Sequence, residues 1–150
     1  MKTHLSFRTH DLDKSISFYK TLLQVEPVKR YEDYALFITE NPGLELALDR
    51  DSRPVRVESA HYGVAVADPS AVEVAIARFQ AAGFELDIER EQTCCYAKQT
   101  KAWATDPDGR RWEVYAVLEE TEQRDAAHST CCGNETAREC CSGAAAENAA

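Results

Sequence analysis

The chain has 150 residues and a mass of 16.8 kDa, room for one ordinary domain. Lys and Arg number 17 against 26 Asp and Glu, a net charge of −9. That sign argues against nucleic acid and against an anionic membrane surface, since both need a basic patch. No apolar run approaches the ~20 residues of a membrane helix, and the first ten residues hold no signal-peptide core, so a cytoplasmic location is expected.

The stretch His4-Leu-Ser-Phe-Arg-Thr-His-Asp11 alternates like a strand and ends on a helix-capping Asp. Ile16, Tyr19, Leu22 and Leu23 then recur at helical spacing, and alternating segments follow at Tyr31–Ile38 and Gly43–Leu48. The same order returns 57 positions later, from His61-Tyr-Gly-Val-Ala-Val-Ala-Asp68. Pro69 opens a second helix, Val72, Ala75, Ile76 and Phe79 share one face of it, and Gly83 can end it. Strand patterns at Phe84–Arg90, roughly Cys95–Thr105 and Arg111–Leu118 complete the half, with Asp106-Pro107-Asp108-Gly109 as a turn between the last two. The unit reads β-α-β-β-β, used twice. The expected fold is α+β, two βαβββ modules (about 1–50 and 58–118) whose sheets curve around a shared cavity.

From Glu119 onward there is no Phe, Trp, Tyr, Leu, Ile or Val, and seven acids stand against two Arg. Such a segment buries too little apolar surface to offset its ordering entropy, so 119–150 is expected to be a disordered, acidic, Ala-rich tail on a 1–118 domain. The six cysteines form three adjacent pairs, Cys94-Cys95, Cys131-Cys132 and Cys140-Cys141. Neighbouring cysteines make strained disulfide partners, and none of these pairs has the gap of a zinc ribbon. In a reducing compartment they are expected to be thiols suited to a soft, thiophilic ligand, and in the tail pairs incidental exposed thiols are an equal alternative.

His4 and His61 open the first strand of each half, Glu113 lies in the last strand of the second, and Glu45 is read as its counterpart in the first. Two imidazoles and one carboxylate form the facial set that leaves open positions on Fe(II); adding Glu45 would make a four-ligand Ni²⁺ or Zn²⁺ site of Lewis-acid type. A strand-opening His is more often a plain surface or core residue, and it is the matched offset together with Glu113 that favours the metal. His10 and His128 have no such partners. For Cys94-Cys95 the bland alternative is two small hydrophobes. A thiol-binding role needs partial deprotonation, which Lys98 or Lys101 could promote, and an irregular backbone, since a regular strand points successive sulfurs to opposite faces.

The repeated unit, the strand-opening histidines and the Asp106-Pro-Asp-Gly-Arg-Arg-Trp-Glu-Val-Tyr115 ending resemble the vicinal oxygen chelate superfamily of glyoxalases, extradiol dioxygenases and bleomycin-resistance proteins. Cys94-Cys95-Tyr96-Ala97-Lys98-Gln99-Thr100-Lys101-Ala102-Trp103 is more specific and resembles the branch of the organoarsenical carbon–arsenic lyases and cadmium-induced proteins. The resemblance implies Fe(II) held by His4, His61 and Glu113, and a trivalent organoarsenical held by Cys94 and Cys95. It also implies a cavity lined by Tyr96, Gln99 and Lys101, with Tyr96 and Lys101 in catalytic roles and Gln99 toward substrate. O2 as co-substrate, arsenite as product and a homodimer follow from the same resemblance. Glu45 departs from the lyase pattern and keeps a glyoxalase-like metalloenzyme open; a non-catalytic protein that sequesters cadmium or arsenic is the other alternative, and the presence of His4 favours the lyase.

Overall fold

The computed structural model describes residues 2–55 and 60–123. The first module contains β1 (Thr3–Thr9), α1 (Leu12–Leu23), β2 (Lys29–Arg30), β3 (Tyr34–Glu40) and β4 (Gly43–Arg50). The second contains β5 (His61–Ala65), α2 (Pro69–Ala81), β6 (Asp87–Cys94), β7 (Ala97–Thr105) and β8 (Arg111–Glu120). Each module is a four-stranded mixed sheet with one helix, in the orders β1-β4-β3-β2 and β5-β8-β7-β6. The first strand of each runs parallel to the last, and the other pairings are antiparallel. The expected α+β pair of βαβββ modules is therefore present.

Both helices begin where the sequence places them. The Asp11 side chain accepts from the Lys14 backbone N–H at 3.0 Å, and Asp68 accepts from that of Ala71 at the same distance. Gly83, with φ +82°, follows the C-cap of α2 in the left-handed region open to glycine. Strand boundaries shift more. The segment expected to begin at Phe84 pairs only from Asp87, and it runs to Cys94. The second strand of the first half, β2, is two residues long and carries no alternation that could reveal it. β8 continues past Leu118, because Glu119 and Glu120 pair with Lys98 and Ala97. The tail expectation otherwise falls on residues 124–150, outside the described residues, as do His128 and the two tail cysteine pairs.

What the modules share is a hydrophobic core. Phe7, Phe18, Tyr19 and Phe37 of the first cluster with Phe79, Ala104, Trp112 and Val114 of the second. Phe18 meets Phe79 and Phe84 at ring separations of 5.8 and 5.3 Å, and Trp112 stacks on Tyr62 at 5.0 Å. Each such ring contributes roughly 1.5–3 kcal/mol by burial alone. Arg78 of α2 donates to the Thr21 carbonyl in the last turn of α1 at 2.7 Å, occupying an acceptor that the helix end leaves open.

One polar node crosses this core. The Asp106 carboxylate, fully buried, accepts from the Tyr19 hydroxyl at 2.7 Å, from Arg110 Nη1 at 2.9 Å and from the backbone N–H groups of Asp108 and Arg110. Arg110 also donates through Nη2 to the Arg8 carbonyl at 2.6 Å and lies over the Phe7 ring at 4.6 Å. Burial and the adjacent carboxylate push the Tyr19 hydroxyl far above its ordinary pKa, so it stays a donor. Burial works against the Arg110 charge, and Asp106 more than offsets it.

Removing one partner of a buried pair strands the other, at a cost of about 3–5 kcal/mol. Asp106→Ala is expected to lose stability of that order in denaturant unfolding, while Tyr19→Phe, which removes one hydrogen bond to a charged group, loses about 2 kcal/mol. Equal and small effects from the two would show that the node is not what joins the modules.

Candidate metal and thiol site

Strand alternation and pairing together decide which side chains share a face. Gly63 of β5 lies opposite Glu113 of β8, Glu113 opposite Trp103 of β7, and Lys101 of β7 opposite Glu89 of β6. Counting by two along each strand adds His61, Gln99 and, through the pairs Gln92–Gln99 and Cys94–Ala97, Gln92 and Cys94. The neighbours on the other face, Val64, Ala102, Val114 and Ala116, belong to the core. His61, Glu113, Lys101, Gln99 and Cys94, singled out from sequence, thus lie on one face of one sheet.

The two oxygens of Glu113 have different neighbours. Oε1 lies 3.7 Å from His61 Nε2, and Oε2 lies 3.2 Å from the Lys101 ammonium. The His61 side chain is half exposed, whereas Glu113 and Lys101 are buried. Gly63 makes room for this carboxylate: a Cβ there would stand 3.0 Å from Glu113 Cγ and 3.1 Å from Oε1. Trp103 meets the His61 ring edge-on at 5.1 Å, and the Arg111 guanidinium lies over its indole at 4.2 Å.

In the first module His4 Nδ1 and Glu45 Oε2 lie 3.8 Å apart, both substantially exposed. The structure therefore gathers the four candidate ligands as two pairs. Among the described residues no group of three or more His, Cys, Asp or Glu is close enough to hold a metal ion, so His4 does not join His61 and Glu113 within the chain as expected. Register also corrects the reading of Glu45 as the counterpart of Glu113. His4 pairs with Glu45 where His61 pairs with Arg111, and Ser6 pairs with Ala47 where Gly63 pairs with Glu113. The residue matching Glu113 is Ala47; Glu45 matches Arg111.

At the far end of the face, Cys95 and Tyr96 form a two-residue hairpin turn with φ of +55° and +66°. Both are left-handed, the conformation that lets a tight hairpin follow the twist of its strands. Cys94 still belongs to β6, and the reversal at Cys95 breaks the alternation that would send the next sulfur to the opposite face. The sulfurs come to 3.2 Å. The Gln99 amide donates to the Cys94 carbonyl at 3.1 Å, and the Tyr96 carbonyl accepts from the Thr121 N–H at 2.7 Å, so the turn is held from both sides. Cys95 is an exposed thiol. Of the two lysines expected to promote thiolate formation, Lys98 pairs with Glu91 at 2.9 Å and Lys101 with Glu113 at 3.2 Å. From Ala97, opposite Cys94, to Trp103, opposite Glu113, is six positions of β7, or about 20 Å at 3.3 Å per residue if straight.

Sequence reasoning missed Gly63, Glu89 and Trp103. An isolated Gly inside a strand pattern marks a close approach, so Gly63 carried a readable signal. Glu89 carried none, because its face depends on a register shift between Glu89 and Gln92. His10, set aside from sequence, has a structural role: its ring contacts Asp108 at 3.0 Å and the Arg53 carbonyl at 3.1 Å.

The family model of the glyoxalase/bleomycin resistance protein/dioxygenase superfamily matches residues 3–114. The chain is 36% identical to a trivalent organoarsenical cleaving enzyme of Bacillus sp. (strain MD1), covering 97% of this chain and 92% of the relative. It is also 36% identical to the cadmium-induced protein CadI of Mycobacterium tuberculosis, covering 91% and 95%. A solved glyoxalase/bleomycin resistance protein/dioxygenase from Alicyclobacillus acidocaldarius aligns with a TM-score of 0.64 at 20% identity, over 79% of this chain and 92% of that one. The fosfomycin resistance protein FosX of Listeria monocytogenes aligns with a TM-score of 0.61 at 18% identity, over 76% and 90%. Twin βαβββ modules, a family match across both of them and these relatives place the chain in the glyoxalase/bleomycin resistance protein/dioxygenase superfamily, in the branch of the organoarsenical cleaving enzymes and cadmium-induced proteins.

Proposed function

We propose that the chain is an Fe(II)-dependent, O2-using lyase that cleaves the carbon–arsenic bond of a trivalent organoarsenical and releases arsenite in the cytoplasm. The observation that carries this reading is the 3.2 Å approach of the Cys94 and Cys95 sulfurs, on a turn that ends the sheet face bearing His61 and Glu113. As thiolates the pair satisfies the two exchangeable positions of a mono-organyl As(III). A relative from Thermomonospora curvata, 36% identical and likewise named a trivalent organoarsenical cleaving enzyme, supports the same substrate class.

The donors paired in this module, His61 and Glu113, fit two of the three positions of a two-His, one-carboxylate set. His61 Nε2 and Glu113 Oε1, at 3.7 Å, need to close only slightly to become neighbouring ligands, which stand about 3 Å apart when each bond is about 2.1 Å. His4 supplies the third donor. Its source is the first module of a second copy of this chain, because within one chain His4 faces Glu45 and both site faces turn away from the shared core. Ala47 at the position matching Glu113 favours three protein ligands over four. Bound Fe(II) supplies the O2 activation that side chains cannot.

The remaining roles belong to the chain itself. The thiols hold arsenic; positioning of this kind makes the bond-breaking step effectively unimolecular. Bringing the tip to the donors requires the β6–β7 hairpin to curl over its own face, and the register shifts at Glu89/Gln92 and Lys98/Gln99 are where its ladders are irregular. Gln99 keeps the Cys94 backbone in place, Tyr96 rides at the exposed tip, and Lys101 forms an ion pair with Glu113 Oε2, leaving Oε1 on the side of His61.

With Fe(II), a thiol reductant and air, the protein is expected to release arsenite from trivalent methyl- or phenylarsenical, as read by arsenic speciation. Equal release without O2, or by a protein with both Cys94 and Cys95 changed to Ser, would replace the lyase by a hydrolytic or sequestering role. His4→Ala and His61→Ala are each expected to be inactive, and subunit exchange between them to restore about a quarter of wild-type activity, since half the dimers then hold one intact site. No recovery on mixing would place His4 in its own chain's site. Gly63→Ala is expected to unfold within about 1 kcal/mol of wild type yet bind metal tenfold or more weakly, because the new methyl displaces Glu113.

A further inference from the structure

Glu89 lies among the groups around His61 and Glu113 but has no part in the scheme above. It is buried, with 6% of its surface exposed. Oε1 accepts from Trp103 Nε1 at 3.2 Å, and Oε2 is a buried oxygen with no hydrogen-bond partner. It stands directly opposite Lys101 in the β6–β7 ladder. A carboxylate this far from water is costly unless its charge is answered nearby. Burial raises its pKa, and the Lys101 charge is the leading influence in the opposite direction.

Two routes, one electrostatic and one by contact, lead from Glu89 to the two candidate ligands of this module. Through Lys101, its ladder partner, whose side chain is 4% exposed, it bears on Glu113: the ammonium is 3.2 Å from Oε2. Through Trp103 it reaches His61: the indole whose N–H it holds lies edge-on to the imidazole at 5.1 Å. The Lys101 ammonium is also 5.4 Å from that ring, which ties the two routes together.

We infer that Glu89 is a positioning residue that sets the orientation of both His61 and Glu113. It fixes the indole that bears on the imidazole, and it shares the Lys101 charge that would otherwise be answered by Glu113 alone. A buried Lys101 paired only with Glu113 forms a neutral couple that competes with a cation for the carboxylate. With Glu89 opposite Lys101 in the ladder, the ammonium stands between two carboxyl groups, and Glu113 keeps more of its attraction for a divalent ion. The inference rests on the proposed metal site for its consequence, and not for its geometry.

The test uses the full-length reduced protein with 13C-labelled glutamate carboxyl groups and 15N-labelled indoles. In metal-free protein, Glu89→Gln is expected to move the Trp103 Nε1–H cross-peak and also the Glu113 carboxyl resonance, identified by its loss in Glu113→Gln. Glu89→Asp, which restores the charge, should return the Glu113 signal toward wild type. A Glu113 resonance unchanged in Glu89→Gln would overturn the inference. In parallel, Mn(II) binding is followed by the loss of its free-ion spin-resonance signal, and Glu89→Gln is expected to weaken the His61-dependent binding about tenfold, as substitutions behind metal ligands do. Unchanged Mn(II) affinity in Glu89→Gln, where His61→Ala abolishes binding, also overturns it while leaving the metal reading intact. Mn(II) binding indifferent to His61→Ala, alongside a shifted Glu113 resonance, instead sinks the metal reading and leaves the positioning role standing.

Discussion

The burial of the Asp106 carboxylate is the constraint on which the arrangement of the two modules depends. A charge at that depth must be answered on every side, and the partners come from both halves: Tyr19 from α1, Arg110 from the turn before β8 and, through Arg110, the Arg8 carbonyl at the end of β1. Neither module can shift without breaking several of these bonds at once. The helix-bearing faces are thereby committed to each other, and the opposite faces, with His4 and Glu45 on one and His61 and Glu113 on the other, are left for chemistry.

The same trade recurs at the site itself. Lys101, Glu89 and Glu113 are three ionisable groups on one sheet face, all with less than a tenth of their surface exposed. Apolar residues of similar volume would hold that sheet at least as well. Gly63 is a second departure from what a strand prefers, since it adds no packing of its own and leaves space that Glu113 fills. Concentration of such departures around His61 and Glu113 is what a functional site looks like when the rest of the sequence agrees with its fold.

Much of the fold was legible because its signals are local. Asp11, Asp68 and Pro69 are capping chemistry, Asp106-Pro107-Asp108-Gly109 is turn chemistry, and the apolar spacing of α2 names its buried face. The doubled order of elements followed from a 57-residue offset in the sequence. Partnership between strands was not legible in the same way. Alternation tells which side a residue faces, but not which residue stands opposite, and a shift of one pair exchanges Glu45 for Ala47 as the counterpart of Glu113. For the same reason Glu89 went unseen: its place beside Lys101 depends on a bulge near Glu91, which sits at φ +52°. Gathering His4 with Glu45, away from His61, is a matter of how whole modules are disposed, for which no short stretch of sequence carries a signal.

The turn at Cys95 and Tyr96 has a consequence for how this protein can vary. Both residues hold a left-handed backbone that Asn and Gly adopt with less strain. By that measure the hairpin tip is a poor piece of β-sheet engineering, and random drift toward Asn-Gly would be rewarded by folding alone. A cysteine there adds a sulfur at the cost of a less comfortable turn. Cys95→Asn together with Tyr96→Gly is therefore expected to leave the hairpin at least as stable while removing one of its two sulfurs, so at this tip folding and the presence of a thiol pair make opposite demands.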